Sequence, residues 1–202
     1  MRSAERALLR AGAAVTVSSD LPAAAAADGL VVPGVGAFAA CMAGIDRLGA
    51  GPVIAERVAA GQPVLGICVG MQVLFERGEE HGVMTRGLGL LPGAVTRLRA
   101  GRVPHMGWNE VTAGAGSRLF AGIPAGERFY FVHSYAAHHA DGVVGLTTHE
   151  QPFVSAVEHG ALAATQFHPE KSGDAGAALL ANWVRQLGPL AVENVTTARG
   201  RG

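Results

Sequence analysis

The chain has 202 residues, the size of one domain that buries a sizeable core without needing a disulfide or a metal. Lysine and arginine together number 16, as do aspartate and glutamate, so the formal net charge is zero, and aromatic residues make up only 5%. This composition gives no electrostatic or stacking basis for binding nucleic acid or an anionic membrane surface. Two distant cysteines, Cys41 and Cys68, do not form a disulfide framework and fit the reducing cytoplasm, and no apolar run is long enough to span a bilayer.

The first part of the chain alternates between helical and strand patterns. The predicted elements, in order, are a helix over Ser3–Ala13, strands over Val15–Val17 and Leu30–Val32, helices over Ala37–Leu48 and Pro52–Ala60, a strand over Gln62–Ile67 and a helix over Val69–Glu76. This alternation is typical of an α/β domain with an open, mixed, mostly parallel sheet flanked by helices.

After Leu90 the pattern changes to short β-like segments. The predicted strands are Val95–Leu98, Arg128–Val132, Val143–Thr148, Phe153–Val157 and Leu162–Phe167. A closing helix is predicted over Asp174–Leu187, with Asp174 as its N-cap. Residues 188–202 have no apolar periodicity and are predicted to be a disordered tail, so one domain is expected over residues 1–187.

A candidate nucleophile lies where the Gln62–Ile67 strand meets the following helix. Cys68 is flanked there by Gly66 and Gly70, which give room for a sharp turn that exposes the side chain above the sheet. The start of the helix directs free N–H groups and a positive dipole end at the sulfur, which favours the thiolate. Taken alone, a cysteine in apolar surroundings is more often a small core residue.

The second half of the same site is predicted at His168-Pro169-Glu170, where the Leu162–Phe167 strand ends. Proline favours extended geometry in the residue before it, and residues two apart in an extended segment point to the same side. Glu170 is therefore expected to orient the imidazole of His168, which serves as the base for Cys68. The tripeptide alone indicates only a turn, but both motifs lie at carboxyl ends of strands, where α/β sheets form their sites.

Two further sequence features are weaker indications of function than these two motifs. The glycine-rich turn over Pro33–Gly36 is a candidate source of backbone N–H groups for an oxyanion, although by itself it is an ordinary strand-to-helix loop. No metal site is predicted, because the remaining histidines considered show no ligand spacing: His133, His138, His139, His149 and His159.

Taken together, these residues resemble a known family. The segments Gly66–Gln72 and His168–Glu170 resemble the class I, or triad, glutamine amidotransferases, whose fold is flavodoxin-like. Three more segments, Pro33–Phe38, Val103–Asn109 and Phe129–Tyr135, narrow the resemblance to the glutaminase subunits of imidazole glycerol phosphate synthase, from histidine biosynthesis. The resemblance extends over about residues 2–187.

The resemblance implies a mechanism and a set of site residues. Cys68 would attack the side-chain amide of glutamine, His168 would move the protons, and Glu170 would orient the imidazole. Backbone N–H groups of Val69 and of Val35 or Gly36 would hold the oxyanion. The residues expected to bind glutamine are Gln72, Glu80, Ser134 and Tyr135. No cofactor is implied.

The resemblance also implies a partner, a separate (β/α)8-barrel cyclase subunit that uses the ammonia to make imidazole glycerol phosphate and on which glutaminase activity depends. Lys171 is the only lysine, beside fifteen arginines. We expect this compact charge to meet a carboxylate of the cyclase, with a chance surface lysine as the alternative. Trp108 and Asn109 are further interface candidates, although Trp108 could simply fill the core.

The sequence departs from the family at its start. The family's apolar first strand and its Asp-Tyr-Gly-x-Gly-Asn loop are not present ahead of Ser3, so we expect a sheet without that strand and a mis-assigned start at Met1. A truncated, inactive subunit that only binds the cyclase is therefore the alternative function. A stress protein or peptidase with a cysteine elbow would not require His168–Glu170, and an amidotransferase of vitamin or nucleotide synthesis is disfavoured by Val103–Asn109.

Overall fold

The computed structural model describes residues 2–188, so the predicted tail lies outside the described residues except for Gly188. The helices are α1 (Arg2–Arg10), α2 (Leu21–Ala26), α3 (Phe38–Leu48), α4 (Ala50–Ala59), α5 (Val69–Gln72) and α6 (Gly173–Val184). The strands are β1 (Leu30–Gly34), β2 (Val64–Cys68), β3 (Phe75–Glu80), β4 (Val83–Arg86), β5 (Leu91–Arg97), β6 (His105–Glu110), β7 (Arg128–His133), β8 (Tyr135–Ala137), β9 (Val143–His149), β10 (Gln151–His159) and β11 (Leu162–Thr165).

The central sheet has five strands in the order β1-β2-β11-β10-β9. The first three strands are parallel, whereas β10 runs antiparallel to both β11 and β9. In register, Gly34 of β1 pairs with Cys68 of β2, and Thr165 of β11 pairs with Ile67. The predicted open mixed sheet is confirmed, and its parallel part brings the ends of these three strands together at one edge.

The strand β2 is completely buried, as expected for a parallel strand covered on both faces. Around it, α1 packs against α6 and α2 packs against α4. The remaining strands form a four-stranded sheet in the order β4-β3-β5-β8 and the antiparallel pair β6-β7. The core is therefore continuous around the strand that ends in Cys68.

Two glycines allow the end of β1 to approach α5 very closely. A Cβ atom on Gly70 would overlap the carbonyl oxygen of Val32, and one on Gly34 would overlap the backbone nitrogen of Gly70. No side chain fits at either position without moving backbone. The turn after β1 and the first turn of α5 therefore pack backbone against backbone.

The helix predicted over Val69–Glu76 is wrong in its second half. The helix α5 ends at Gln72, and Phe75–Glu80 forms β3, which pairs with both β5 and β4. Residues 73, 74 and 75 are all completely buried, so this run has no polar face that would favour an amphipathic helix. Gly78 lies directly against the ring of Phe38, which only a residue without a side chain permits.

The strand predicted over Val15–Val17 is also wrong. Its backbone has no strand beside it, because a groove of about 400 Å³ separates residues 13–18 from the edge strand β1. An extended segment needs a neighbouring backbone to satisfy its N–H and C=O groups. The strands predicted after Leu90 are present with shifted ends, while α2, β3, β4, β6 and β8 were not predicted.

Within residues 2–188 no single helix is both long and apolar enough to cross a membrane. Helices α3 and α4 meet those criteria only when joined, and they meet at a bend of 89°.

Candidate active site

Cys68 lies at the sharp turn between β2 and α5. Its φ of 58° and ψ of −115° place a non-glycine residue in the left-handed region, a strained conformation that is concentrated at functional sites. Side chains at Gly66 or Gly70 would collide with neighbouring atoms, so the turn requires both glycines. Cys68 is only 5% exposed, which places its sulfur in a nearly closed centre.

The structure brings His168 and Glu170 together with Cys68. His168 Nδ1 lies 2.8 Å from Glu170 Oε1, and both side chains are almost completely buried. The thiol of Cys68 is near enough to the same imidazole to contribute to its pKa. The three residues therefore form one continuous thiol–imidazole–carboxylate arrangement, although a hundred positions separate the first two.

The electrostatics of this arrangement favour a charged imidazole. Burial by itself lowers the pKa of His168, but its hydrogen bonds to Cys68 and Glu170, together with their negative charges, raise the pKa from 6.5 to about 9. Burial raises the pKa of Glu170, yet the hydrogen bond and the charge of His168 hold it below its ordinary value. The pair therefore persists as imidazolium and carboxylate at neutral pH.

The backbone that positions this pair differs from the predicted extended segment. His168 is extended, with φ of −99° and ψ of 94°, but Pro169–Lys171 forms a 3-10 turn that returns Glu170 to the imidazole. The N–H of His168 donates to the carbonyl of Tyr130. The hydroxyl of Ser172 donates to the carbonyl of His168 at 2.6 Å and accepts from the N–H of Tyr130. The ring position is thus fixed by strand β7 as well as by the turn.

Gln166 is a site residue that the sequence analysis missed. It is completely buried, its Oε1 accepts from Nε2 of Gln72 at 2.9 Å, and its Nε2 lies 4.0 Å from the sulfur of Cys68. Its position two residues before His168 is the signal that could have found it, because such residues share one side of an extended segment. Nε2 of Gln72 also donates to the carbonyl of Tyr135 at 2.8 Å, so two predicted glutamine-binding residues are in contact.

The predicted oxyanion residues lie on both sides of Cys68. Val69 is the first residue of α5, and its side chain is buried. Val35 and Gly36 belong to the exposed turn between β1 and α3, where Gly36 has a φ of 84° that favours glycine. Glu80 accepts from the N–H of Phe38, the first residue of α3, at 3.0 Å. Its carboxylate thereby stabilises the helix start that follows this turn.

Ser134 and Tyr135 connect the antiparallel pair to the four-stranded sheet. The carbonyl of Ser134 accepts from the N–H of Leu98, and the hydroxyl of Tyr135 accepts from the N–H of His81. Both predicted residues therefore have their backbone or hydroxyl groups fixed close to Gln72.

The interface candidates do not all behave alike. Lys171 Nζ lies 5.9 Å from the ring centre of Tyr130, and Trp108 meets the same ring edge-on at 6.1 Å. Trp108 is 53% exposed, so the alternative that it fills the core is wrong. Asn109 instead donates its amide to the carbonyl of Thr148 and contacts His105. We call the group formed by exposed Met106, Trp108 and Lys171 and half-buried Tyr130 the aromatic patch.

Among residues 2–188, no three His, Cys, Asp or Glu side chains converge in a way that could hold a metal ion.

Comparison with solved structures agrees with this fold. A glutamine amidotransferase crystal structure superposes with a TM-score of 0.74 at 21% identity, over 93% of this chain and 94% of that one. PurLQS from Thermotoga maritima gives a TM-score of 0.68 at 18% identity, over 93% and 92% of the two chains. A family model described as glutamine amidotransferase class-I matches residues 2–187. The fold is thus that of a class I glutamine amidotransferase.

Closer sequence relatives narrow this class. The imidazole glycerol phosphate synthase subunit HisH of Mycolicibacterium paratuberculosis is 62% identical over 191 residues, which is 93% of each chain. The subunit of the same name from Streptomyces avermitilis is 59% identical over 197 residues, covering 93% of this chain and 92% of the relative. The chain belongs to the class I glutamine amidotransferase family and, within it, to the family of HisH subunits. The resemblance inferred from the motifs is confirmed.

Proposed function

We propose that this protein is the glutaminase subunit of imidazole glycerol phosphate synthase and supplies ammonia for histidine biosynthesis. It hydrolyses glutamine to glutamate and ammonia, which passes to a cyclase subunit. The observation that carries the proposal is the convergence of Cys68, His168 and Glu170 at the ends of two adjacent parallel strands, with His168 Nδ1 2.8 Å from Glu170 Oε1. The high identity to relatives named as subunits of that synthase supports the same assignment.

In the first half-reaction, the thiolate of Cys68 attacks the side-chain amide carbon of glutamine, and the carbonyl oxygen becomes an oxyanion. The C–N bond then breaks, and the imidazolium of His168 gives its Nε2 proton to the departing nitrogen. Ammonia leaves, and a glutamyl thioester remains on Cys68. The raised pKa of His168 suits this step, because the acid is present as imidazolium at neutral pH.

In the second half-reaction, the neutral imidazole of His168 takes a proton from water, which attacks the thioester carbon. The C–S bond breaks, the thiolate of Cys68 is restored, and glutamate leaves, its new carboxyl group ionising in water. Glu170 holds Nδ1 throughout, so Nε2 faces the sulfur, and its charge stabilises the imidazolium.

The oxyanion is held by backbone N–H groups of Val69 and of Val35 or Gly36. Losing one such donor typically costs about 3–4 kcal/mol of transition-state stabilisation, so the turn after β1 matters as much as the triad. Glutamine is bound by Gln72, Glu80 and the segment Ser134–Tyr135, which lie around this turn and the sulfur. Because Cys68 is nearly covered, glutamine binding requires a local opening of these segments.

The partner is the cyclase subunit, a (β/α)8 barrel, and we place its contact at the aromatic patch. An exposed tryptophan with a cation over a tyrosine ring is the kind of group that interfaces bury. Lys171 meets a carboxylate of the cyclase there, whereas the side chain of Asn109 is engaged by Thr148 and His105 of this protein. The assembly works in the cytoplasm, binds neither nucleic acid nor membrane, and uses no cofactor.

The test is glutamate release by Cys68→Ala and parent protein, each with and without the cyclase. We expect a loss of at least about 10⁴-fold in the variant, since the nucleophile is absent. Cys41→Ala is the matched control, because Cys41 is the other unpaired cysteine of the chain, on α3. The Cys68→Ala complex should still make imidazole glycerol phosphate from added ammonia.

A parent protein that binds the cyclase and releases no glutamate would replace this proposal with the binding-only alternative. The relatives give that alternative no support.

A further inference from the structure

Two buried histidines outside the triad are hydrogen-bonded to each other. His105 of β6 and His133 of β7 are cross-strand partners, and His105 Nδ1 lies 3.0 Å from His133 Nε2. The other nitrogen of His133, Nδ1, lies 3.0 Å from the carbonyl oxygen of Tyr135. The other nitrogen of His105, Nε2, lies 3.2 Å from the amide nitrogen of Asn109. The four residues thus form one chain of hydrogen bonds, which we call the histidine relay.

The carbonyl at one end fixes the direction of every bond in the histidine relay. The oxygen of Tyr135 only accepts, so His133 Nδ1 donates, and a neutral ring then leaves Nε2 as an acceptor. His105 Nδ1 must therefore donate to it, which leaves His105 Nε2 to accept from Asn109. Both rings carry their proton on Nδ1.

Asn109 is held in the orientation that this direction requires. Its amide nitrogen also donates to the carbonyl of Thr148 at 3.0 Å, and its Oδ1 accepts from the N–H of Glu110 at 2.8 Å. Turning the amide round would leave both of these backbone groups without a proper partner. The far end of the histidine relay is therefore fixed as firmly as the carbonyl end.

The rings of the histidine relay are neutral. Burial, reinforced by the neighbouring His149, lowers the pKa of His105 from 6.5 to about 4. Burial also lowers the pKa of His133, to about 3. The hydrogen bond to the Tyr135 carbonyl opposes this change, and repulsion by protonated His105, His149 or His168 adds to it. A second proton on either ring would place two N–H groups opposite each other. The neutral state of the rings and the direction of their hydrogen bonds therefore depend on one another.

The histidine relay ends on the carbonyl that also binds Gln72. Nε2 of Gln72 donates one hydrogen to Tyr135 O and the other to Gln166 Oε1, at 2.8 and 2.9 Å. The amide of Gln166 in turn faces the sulfur of Cys68. An amide with both hydrogens engaged has a fixed orientation, so a shift of the Tyr135 carbonyl changes how Gln72 and Gln166 are presented.

We propose that Asn109, His105 and His133 are positioning residues for glutamine, because they hold the Tyr135 carbonyl that orients Gln72 and Gln166. This inference rests on the proposed function. The two histidines do not touch the sulfur and transfer no proton in the reaction. They act through one backbone carbonyl, and their effect is on the binding of glutamine.

The experiment measures KM and kcat for glutamine, in the complex with the cyclase, for His133→Phe and for the double variant His105→Phe with His133→Phe. Phenylalanine keeps the ring shape among Phe131 and Phe153, and replacing both partners of a buried hydrogen bond by apolar groups is nearly neutral for stability. We expect KM to rise about tenfold, which corresponds to one lost buried hydrogen bond, with a smaller change in kcat. An unchanged KM in both variants overturns the inference.

A rescue variant and an NMR spectrum distinguish the positioning role from a merely structural one. His133→Asn keeps a donor near the Nδ1 position, so we expect its KM to lie closer to the parent value than the KM of His133→Phe does. Equal KM values in the two variants would contradict the inference. Nitrogen NMR of the parent should show both rings with a protonated Nδ1 and a bare Nε2 from pH 5 to 9. The opposite tautomer in either ring also overturns the inference.

Controls separate failure of this inference from failure of the proposed function. His159→Phe changes an exposed histidine at the end of β10 and should leave KM unchanged. Absence of glutamate release by the parent complex would defeat the proposed function, whereas an active parent with unaffected relay variants defeats only the positioning role.

Discussion

Buried histidines occur in two regions of this protein, the triad and the histidine relay, and the rings meet different partners there. His168, His105 and His133 are similarly covered, at 5%, 5% and 7% exposure. Yet the pKa of His168 is raised to about 9, while those of His105 and His133 are lowered to about 4 and 3. Burial acts in the same direction in all three, so the partners decide the outcome.

The difference lies in whether the partner carries a negative charge. Glu170 and Cys68 both favour an imidazolium at His168, whereas the relay rings contact a carbonyl, an amide and each other. A charged ring can give a proton to a leaving group, and a neutral ring with a fixed tautomer can hold geometry. Two buried imidazole environments therefore serve two tasks in one protein.

The largest expected effect follows from removing the charged ring. His168→Gln cannot carry a proton between sulfur, nitrogen and water, so glutaminase activity in the complex should fall at least about 10⁴-fold. Synthesis of imidazole glycerol phosphate from added ammonia should persist, which shows that the complex still forms. Substantial glutaminase activity in this variant would mean that another residue is the general acid. The proposed difference in task between the triad and the histidine relay would then be wrong.

The next prediction concerns the carboxylate partner. In the parent, kcat/KM should fall as the pH rises through about 9, because the imidazolium that protonates the departing nitrogen is then lost. Glu170→Gln removes a charge that raises the pKa of His168, so activity should drop by about 10²–10⁴-fold and the alkaline decline should begin at lower pH. The measurement is kcat/KM from pH 6 to 10, and an alkaline decline at the same pH in both proteins would contradict the assignment.

A third prediction concerns the pH dependence of folding stability, which has opposite signs in the two regions. The raised pKa of His168 contributes stability that is complete below pH 6.5 and is lost as the pH rises through about 9. The lowered pKa values of His105 and His133 mean that the unfolded chain binds more protons, so stability is lost as the pH falls from 6.5 toward about 4. The lowered pKa of Glu170 adds a further loss of stability as the pH falls below 4.5, the ordinary pKa of this carboxyl group.

Thermal unfolding against pH should therefore show a decline on both sides of pH 6.5. His168→Gln should flatten the alkaline side, and the double phenylalanine variant of the histidine relay should flatten the acid side between pH 6.5 and 4.5. If either variant flattens the opposite side, the sign of the corresponding pKa change is wrong.

The smallest expected effect concerns Lys171, which follows Glu170 and also lowers its pKa. Lys171→Arg keeps the charge but replaces a compact ammonium by a planar fork. We expect cyclase-stimulated glutaminase to fall by about two- to tenfold through weaker binding of the cyclase, as for one charged contact. A parent-like Lys171→Arg would leave this residue as an ordinary surface lysine.

Sequence alone predicted the triad because its signals are local. Gly66, Gly70 and Pro169 act on the residues beside them, so Cys68 and His168 are recognisable where their strands end. The helix predicted over Val69–Glu76 was wrong in its second half because a fully buried apolar run has no period that distinguishes a helix from a strand. The segment Val15–Val17 failed for a different reason, since its β pattern does not reveal whether a neighbouring backbone is available.

The histidine relay was beyond sequence reasoning for a third reason. His105 and His133 are 28 positions apart, and only the register between β6 and β7 sets them opposite each other. No spacing rule for metal ligands or catalytic groups detects this pair of neutral rings, whose hydrogen bonds all donate in the same direction along the relay. Gln166 was closer to recognition, because strand alternation from His168 already points to it.

The position of Lys171 in the aromatic patch has a practical consequence. Because it is the only lysine of the chain, acylation with an amine-reactive reagent modifies this side chain and the terminal α-amino group alone. The modified peptide carries one mass shift, and its yield with and without a bound protein reports whether that face is covered. A single chemical footprint thus tests whether the partner docks on this face, without any engineered label.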